Sequence, residues 1–245
     1  MKLQLQDISI AFSNQKILDS FNLEVKEGEF VALIGPSGCG KSTLLNILAG
    51  ILPCQTGTIQ VDGKLVQGIS NHFAYMPQND LLLPWNTILE NVTLYGKIHG
   101  HQKEAKQKAL QEFSTFGLSG YENAYPNELS GGMRQRAAFL RTALCEADIL
   151  LLDEPFGALD VITRHGMQDW LLELRKTFDK TTLLVTHDID EALYLADRIV
   201  ILGSKPASIL KEISLDSSKK SRDWLMDQKE LQKEIYAILK ENSHA

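Results

Sequence analysis

The chain has 245 residues, 44% of them hydrophobic, which is enough for one sizeable buried core. Lys+Arg 25 against Asp+Glu 31 gives a net charge of −6, and no long basic run occurs, which argues against a dedicated nucleic-acid surface. The three cysteines, Cys39, Cys54 and Cys145, have no metal-ligand spacing, and their odd number argues against a disulfide framework, so a reducing compartment is expected.

The amino terminus, Met1-Lys2-Leu3-Gln4-Leu5-Gln6-Asp7, alternates polar and apolar residues and has no secretory apolar core. No apolar run approaches the roughly 20 residues of a membrane helix. A soluble chain is expected, with any membrane role exerted through a partner. Residues 3–10, 23–25 and 58–61 alternate and are separated by polar turns, which predicts an antiparallel sheet beside the core.

Between those segments, residues 30–34 form an unbroken apolar strand candidate. Gly35-Pro36-Ser37-Gly38-Cys39-Gly40-Lys41-Ser42-Thr43 follows it directly and fits G-x-x-x-x-G-K-[ST]. A helix over 43–49, with Leu44, Leu45, Ile47 and Leu48 on its apolar face, completes the strand–loop–helix context that this motif requires. Glycines let backbone N–H groups wrap phosphates, and the helix terminus adds its dipole. Lys41 is expected to reach the β- and γ-phosphates, and the Ser42 hydroxyl to bind Mg²⁺.

Further strands are predicted at 73–76, 149–152, 182–186 and 198–202. Their nearly unbroken apolar character predicts a mainly parallel sheet buried on both faces. Residues 85–141 carry helical periodicity, beginning with Leu89, Val92, Leu94 and Tyr95 and continuing through a polar stretch from 99 to 108. Near its end lies Leu129-Ser130-Gly131-Gly132-Met133-Arg134-Gln135-Arg136. Ser130 is a good helix N-cap, and Gly131 and Gly132 leave the first turn bare. Such a terminus either holds a phosphate or merely starts a helix.

Asp153 and Glu154 close the apolar run Ile149-Leu150-Leu151-Leu152. Carboxylates at the C-terminal ends of parallel strands face the crevice where ligands bind. Asp153 is expected to partner Mg²⁺ through a metal-bound water. Glu154 is expected to orient the attacking water or accept its proton. At the far end Leu231, Ile235, Ile238 and Leu239 share one helical face, which is expected to dock on its own domain.

These motifs, in this order, resemble those of the ATP-binding-cassette (ABC) ATPases over nearly the whole chain. The resemblance implies a P-loop NTPase (RecA-like) α/β core with a mainly parallel sheet, an amino-terminal antiparallel β subdomain and an inserted helical subdomain. The corresponding division is 1–84 and 142–215 for the core, 85–141 for the helical signature subdomain and 216–245 for a C-terminal helical extension. It further implies that Gln78, after the 73–76 strand, is the Q-loop glutamine touching Mg²⁺ and the attacking water. Ala158-Leu159-Asp160 matches the D-loop, which crosses the dimer interface, and His187 matches the switch histidine at the γ-phosphate. Phe12 stands where an aromatic stacks on adenine, although core packing is an equal reading of a phenylalanine there.

By the same resemblance Ser130 and Gly132 bind the γ-phosphate of ATP held by a second copy, so the working unit is a homodimer coupled to an integral-membrane permease. Leu81-Leu82-Leu83-Pro84-Trp85-Asn86-Thr87-Ile88-Leu89-Glu90-Asn91-Val92 and Phe156-Gly157-Ala158-Leu159-Asp160 are similar to nitrate, sulfonate and taurine importer ATPases, a branch that includes carriers of thiamine-pyrimidine precursors. That branch implies residence at the cytoplasmic face of the membrane and an extracytoplasmic solute-binding protein acting indirectly. Trp85 either lines a cleft for a permease helix or belongs to the helical core. Two other classes compete: a soluble ABC-type ATPase in repair, translation or cofactor assembly, and a nucleotide-dependent binding module without turnover. The absence of long coiled-coil insertions and of a second cassette argues against the first. The presence of Lys41, Asp153, Glu154 and His187 together argues against the second.

Overall fold

A computed structural model of the chain describes residues 1–157, 159–177, 180–216 and 220–242. The first strands, β1 (Leu3–Phe12) and β2 (Gln15–Val25), are antiparallel neighbours, and β3 (Phe30–Ile34) then leaves for a second sheet. After helix α1 (Lys41–Leu48) the chain returns to the first sheet as β4 (Thr56–Val61) and β5 (Lys64–Val66), giving the antiparallel order β2-β1-β4-β5. The expected antiparallel sheet is thus present. Its strands β1, β2 and β4 are longer than the sequence pattern indicates, and β5 is one the pattern does not mark.

The main sheet contains β6 (Phe73–Met76), β7 (Ile149–Asp153), β8 (Thr181–Thr186), β9 (Arg198–Leu202) and β10 (Ile209–Ser214) beside β3, in the order β10-β9-β3-β8-β7-β6. All pairings are parallel except β10 with β9. β10 escapes sequence detection because it is an edge strand with exposed Lys211 and Glu212 rather than an apolar run. Successive side chains of a strand point to opposite faces, and both faces here are apolar. Phe30, Ala32, Ile34, Leu150 and Leu152 enter one cluster, while Val31, Leu33, Ile149 and Leu151 enter the other. Each large side chain so buried contributes about 1.5–3 kcal/mol relative to exposure.

Helices cover the first of these faces. Between β6 and β7 lie α2 (Ile88–Val92), α3 (Leu94–Ile98), α4 (Gln102–Glu112), a 3₁₀ turn (Pro126–Glu128) and α5 (Gly131–Ala143). Most of the polar stretch from 99 to 108 is helix, from Gln102 onward. α4 buries only Ala109 among its residues, so its sequence carries almost no amphipathic signal. α6 (Val161–Thr177), α7 (Ile189–Leu195), α8 (Arg222–Met226) and α9 (Lys229–Glu241) complete the layer. On α9, Ile235 is fully buried, with Leu231, Ile238 and Leu239 partly so, which docks the helix on its own chain as expected. The expected C-terminal extension includes 217–219 and 243–245, which lie outside the described residues. Among the described residues no helix is long and apolar enough to cross a membrane.

Candidate active site

The phosphate-loop motif turns directly from β3 into α1, and α1 begins at Lys41, two residues earlier than its apolar pattern implies. Lys41 and Ser42 therefore sit in the first helical turn, where the backbone N–H groups are unpaired. Gly40 permits this turn. Its φ is 122°, and a Cβ there would lie 2.9 Å from Ile17 Cγ2. The Lys41 ammonium is buried and donates to the carbonyls of Gly35 at 2.8 Å and Pro36 at 3.0 Å, with Cys39 Sγ 3.8 Å away. Cys39 itself is buried beneath the loop.

A cleft of about 340 Å³ opens over the loop, lined by Phe12, Ile17, Ser37, Gly38, Gly40, Lys41, Ser42, Thr43, Glu154 and Lys205. Phe12 is 46% exposed at this cleft, so the core reading of that residue falls away. Ile17 and Lys205 join it with no local motif to mark them. Gly35 and Pro36, whose carbonyls accept from Lys41, do not line the cleft, and neither does the buried Cys39.

Two carboxylates arrive from β7. The Ser42 hydroxyl donates to Asp153 Oδ1 at 3.0 Å, and the Tyr75 hydroxyl, from the adjacent strand β6, donates to Oδ2 at 3.2 Å. Burial pushes the Asp153 carboxyl above its ordinary range, against the Ser42 and Tyr75 hydrogen bonds that lower it. Burial, with the Asp153 charge, likewise raises the Tyr75 hydroxyl, which stays protonated as a donor. Tyr75 is a site residue the sequence does not announce.

Glu154 has φ 45°, a left-handed conformation costing a non-glycine residue of order 1–3 kcal/mol. It is held by its N–H, donated to the Val185 carbonyl at 2.9 Å, and by its carbonyl, which accepts from Gly157 N–H at 3.1 Å. The twist brings its side chain between two others. Gln78 Nε2 donates to Oε2 at 3.1 Å, and His187 Nδ1 lies 3.3 Å from Oε1. Gln78 thus joins Glu154 rather than the Ser42–Asp153 pair.

Ser130 is the N-cap of α5, its Oγ accepting from Met133 N–H at 3.3 Å. Ser130, Gly131 and Gly132 do not line the phosphate cleft. The two glycines instead approach Leu159 and the first turn of α6. A Cβ on Gly132 would lie 2.6 Å from Thr163 Cγ2, so a side chain there would have to displace that methyl, and one on Gly131 would lie 3.8 Å from Leu159 Cδ2. The Asp160 carboxylate is spent as a helix cap, accepting from Ile162 and Thr163 N–H at 3.1 Å each. A hydrogen bond from the Thr163 side chain, helped by those two backbone bonds, holds it below the ordinary carboxylate range. Ala158 lies outside the described residues.

Arginines of α5 grip the loop that follows Gln78. Arg134 Nε donates to Asp80 Oδ2 at 3.2 Å, while Arg141 donates to the carbonyls of Leu81 at 2.8 Å and Asp80 at 2.6 Å. Asn91, buried on α2, fastens the same segment further on, bonding the Leu83 backbone and the carbonyls of Asn86 and Thr87. Trp85 on that segment is 71% exposed, which removes the core reading for it. Gln135 ties α5 to the Pro155 carbonyl, just past Glu154.

A family model described as ABC transporter matches residues 18–157. The chain is 42% identical to a formylaminopyrimidine import ATP-binding protein of Halalkalibacterium halodurans, over 98% of this chain and 97% of that protein. It is 42% identical to an aliphatic sulfonates import ATP-binding protein of Bacillus cereus, over 87% of this chain and 86% of the relative. Against the taurine import ATP-binding protein of Escherichia coli the identity is 40%, covering 89% and 86%. Among solved structures, a dimeric ATP-binding cassette in a post-hydrolysis state with ADP and Pi matches with TM-score 0.73 and 30% identity, covering 87% of this chain and 99% of that one. Likeness of this extent, carried by a loop, strand ends and capped helices that together suit a nucleoside triphosphate, has one reading: the chain belongs to the ABC transporter family, as an ATP-binding and ATP-hydrolysing subunit.

Proposed function

We propose that the chain is the energy-coupling ATPase of an importer, driving uptake of a small solute of the sulfonate, taurine or pyrimidine-precursor type through a separate permease. The observation that carries the catalytic half is the Glu154 carboxylate held between Gln78 and His187 beside the phosphate loop. Backbone N–H groups of Ser37–Thr43 and the Lys41 ammonium bind the β- and γ-phosphates, and Phe12 stacks on the base. Water attacks the γ-phosphorus in line with the bond to the β–γ bridging oxygen, which breaks as ADP leaves. Glu154 takes the proton of that water, oriented by Gln78, while His187 contacts the γ-phosphate oxygens. The Ser42 hydroxyl and Asp153 carboxylate, hard oxygen donors 3.0 Å apart, suit Mg²⁺, which prefers a few protein oxygens with phosphate and water completing its shell. When bound, that ion would neutralise phosphate charge.

Ser130, Gly131 and Gly132, away from the phosphate cleft of their own chain, serve the ATP of a second copy, with the Asp160 segment at the contact. The exposed Trp85 segment receives the permease at the cytoplasmic face, and a solute-binding protein acts from the other side. The dimeric neighbour and the import relatives support this reading. Proteoliposomes containing the cognate permease and this chain, with ATP on the ATPase side, should accumulate a labelled aminopyrimidine, alkanesulfonate or taurine. ATPase activity with no permease association and no uptake would favour an ABC-type ATPase outside transport.

A further inference from the structure

The segment from Leu159 to Arg164, which runs from the expected dimer-crossing loop into α6, approaches Gly131 and Gly132 on one side and the His187 loop on the other. Arg164 is the connection. Its guanidinium donates to the Leu159 carbonyl at 3.1 Å and reaches Asp188 Oδ2 at 3.5 Å. Asp188 follows His187 directly and uses its other oxygen to cap α7, accepting from Asp190 N–H at 2.9 Å and Glu191 N–H at 3.1 Å. One carboxylate therefore fixes both the start of α7 and the distance of the His187 loop from residue 159. Leu159 and Thr163, on the Arg164 side, are the residues that approach Gly131 and Gly132.

Two groups in this neighbourhood are left over. Arg164 Nε is buried and has no hydrogen-bond partner, and neither has Oε1 of Glu191, which is 4% exposed. The Arg164 charge acts on that same Glu191. Buried donors and acceptors are almost always paired, so each of these two atoms calls for a partner that the present arrangement does not supply. Arg164 thus has one carboxylate engaged, and the carboxyl group of Glu191 lies within the influence of its charge as an alternative partner, as an element with two discrete arrangements requires.

We propose that Arg164 is a positioning residue that couples the 159–163 segment to the His187–Glu154 pair, holding the His187 loop through Asp188 and exchanging to Glu191 when that segment moves. The proposal rests on the reading of Glu154 and His187 given under Proposed function. Movement of residues 159–163 against a second copy would then change where His187 stands, without any contact between Arg164 and nucleotide.

The test is a double-mutant cycle in the full-length chain, read as steady-state ATPase kinetics with fluorescent-nucleotide binding and thermal melting alongside. Arg164→Lys keeps the charge but loses the fork that spans Leu159 and Asp188. Asp188→Asn keeps the α7 cap but loses the charge. Each single variant should lower kcat by about ten-fold with KM and nucleotide affinity unchanged, and the double variant should be no worse than either single one. A purely structural role would instead lower the melting temperature and leave kcat per folded molecule intact, which would overturn the proposal. Additive losses in the double variant would also overturn it. His187→Ala and Glu154→Gln serve as separate references. If those two retain full turnover, the reading of the catalytic pair fails; if they lose it while Arg164→Lys and Asp188→Asn do not, only the coupling fails.

Discussion

His187 Nδ1 stands 3.3 Å from Glu154 Oε1 because the strands preceding them, β8 and β7, are parallel neighbours in register, with Asp153 opposite Val185. The left-handed backbone of Glu154 then turns its carboxylate toward the same crevice. Gln78 closes the group from β6, the strand on the other side of β7. Three consecutive strand ends thus deliver an amide, a carboxylate and an imidazole to one point.

Glu154→Gln keeps the shape of that side chain and removes its basicity. Turnover should fall by about 10²–10⁴-fold, the usual share of a general base, with ATP binding retained. ATP-bound dimers should accumulate on gel filtration. Undiminished hydrolysis would remove Glu154 as the base.

A Ser130→Ala chain and a Lys41→Ala chain should each hydrolyse ATP poorly. Mixed, they should regain activity if each site draws on two copies, because one of the two sites in a mixed dimer is whole. Absence of recovery at every mixing ratio would contradict shared sites. Ser130→Ala also removes the α5 cap, at about 1 kcal/mol, so its melting temperature should drop slightly.

Burial, followed by the nearby Asp188 charge, raises the Glu191 carboxyl to about 8 from an ordinary 4.5. Between those values the folded protein holds a proton that the unfolded chain has released, so stability falls as pH rises through the window. Glu191→Gln is neutral throughout. Its melting temperature relative to the parent should therefore rise steadily from about pH 5 to about pH 8. A constant difference across that range would show that Glu191 ionises normally.

Lys180 Nζ donates to the carbonyls of Ala143, Cys145 and Ala147 at 3.4, 3.1 and 2.8 Å, at and just beyond the end of α5. Cations there oppose the negative end of the helix. Lys180→Met keeps the stem and strips the charge, and should cost about 1.5–3 kcal/mol in denaturant unfolding. Loss below a few tenths would mean that water replaces the ammonium without penalty.

Much of this was legible from residues next to one another. The phosphate loop, the Asp153–Glu154 strand end and the Ser130 cap are contiguous because each is a single turn of backbone that must present its groups together. The contacts that align them are not. Tyr75 meets Asp153, Arg141 meets Leu81 and Arg164 meets Asp188 only after the sheet and helices have formed. None of these pairs leaves a periodic trace, since a tyrosine on a half-buried strand and an arginine on a helix are ordinary there. Short edge strands such as β5 and β10 fail for a related reason: with one side in water they need no apolar run.

The grip of Arg134 and Arg141 on Asp80 and Leu81, and of Asn91 on the backbone around Leu83, makes the stretch from Gln78 to Trp85 a braced strut rather than a slack connection. Its exposed indole is the handle. Torque applied at Trp85 would be delivered at one end to the amide that steadies Glu154 and, through the arginines, to the helix headed by Ser130. A single mechanical input would thereby disturb both the Glu154 group and the helix proposed to serve a second copy's ATP, so that the two respond in step.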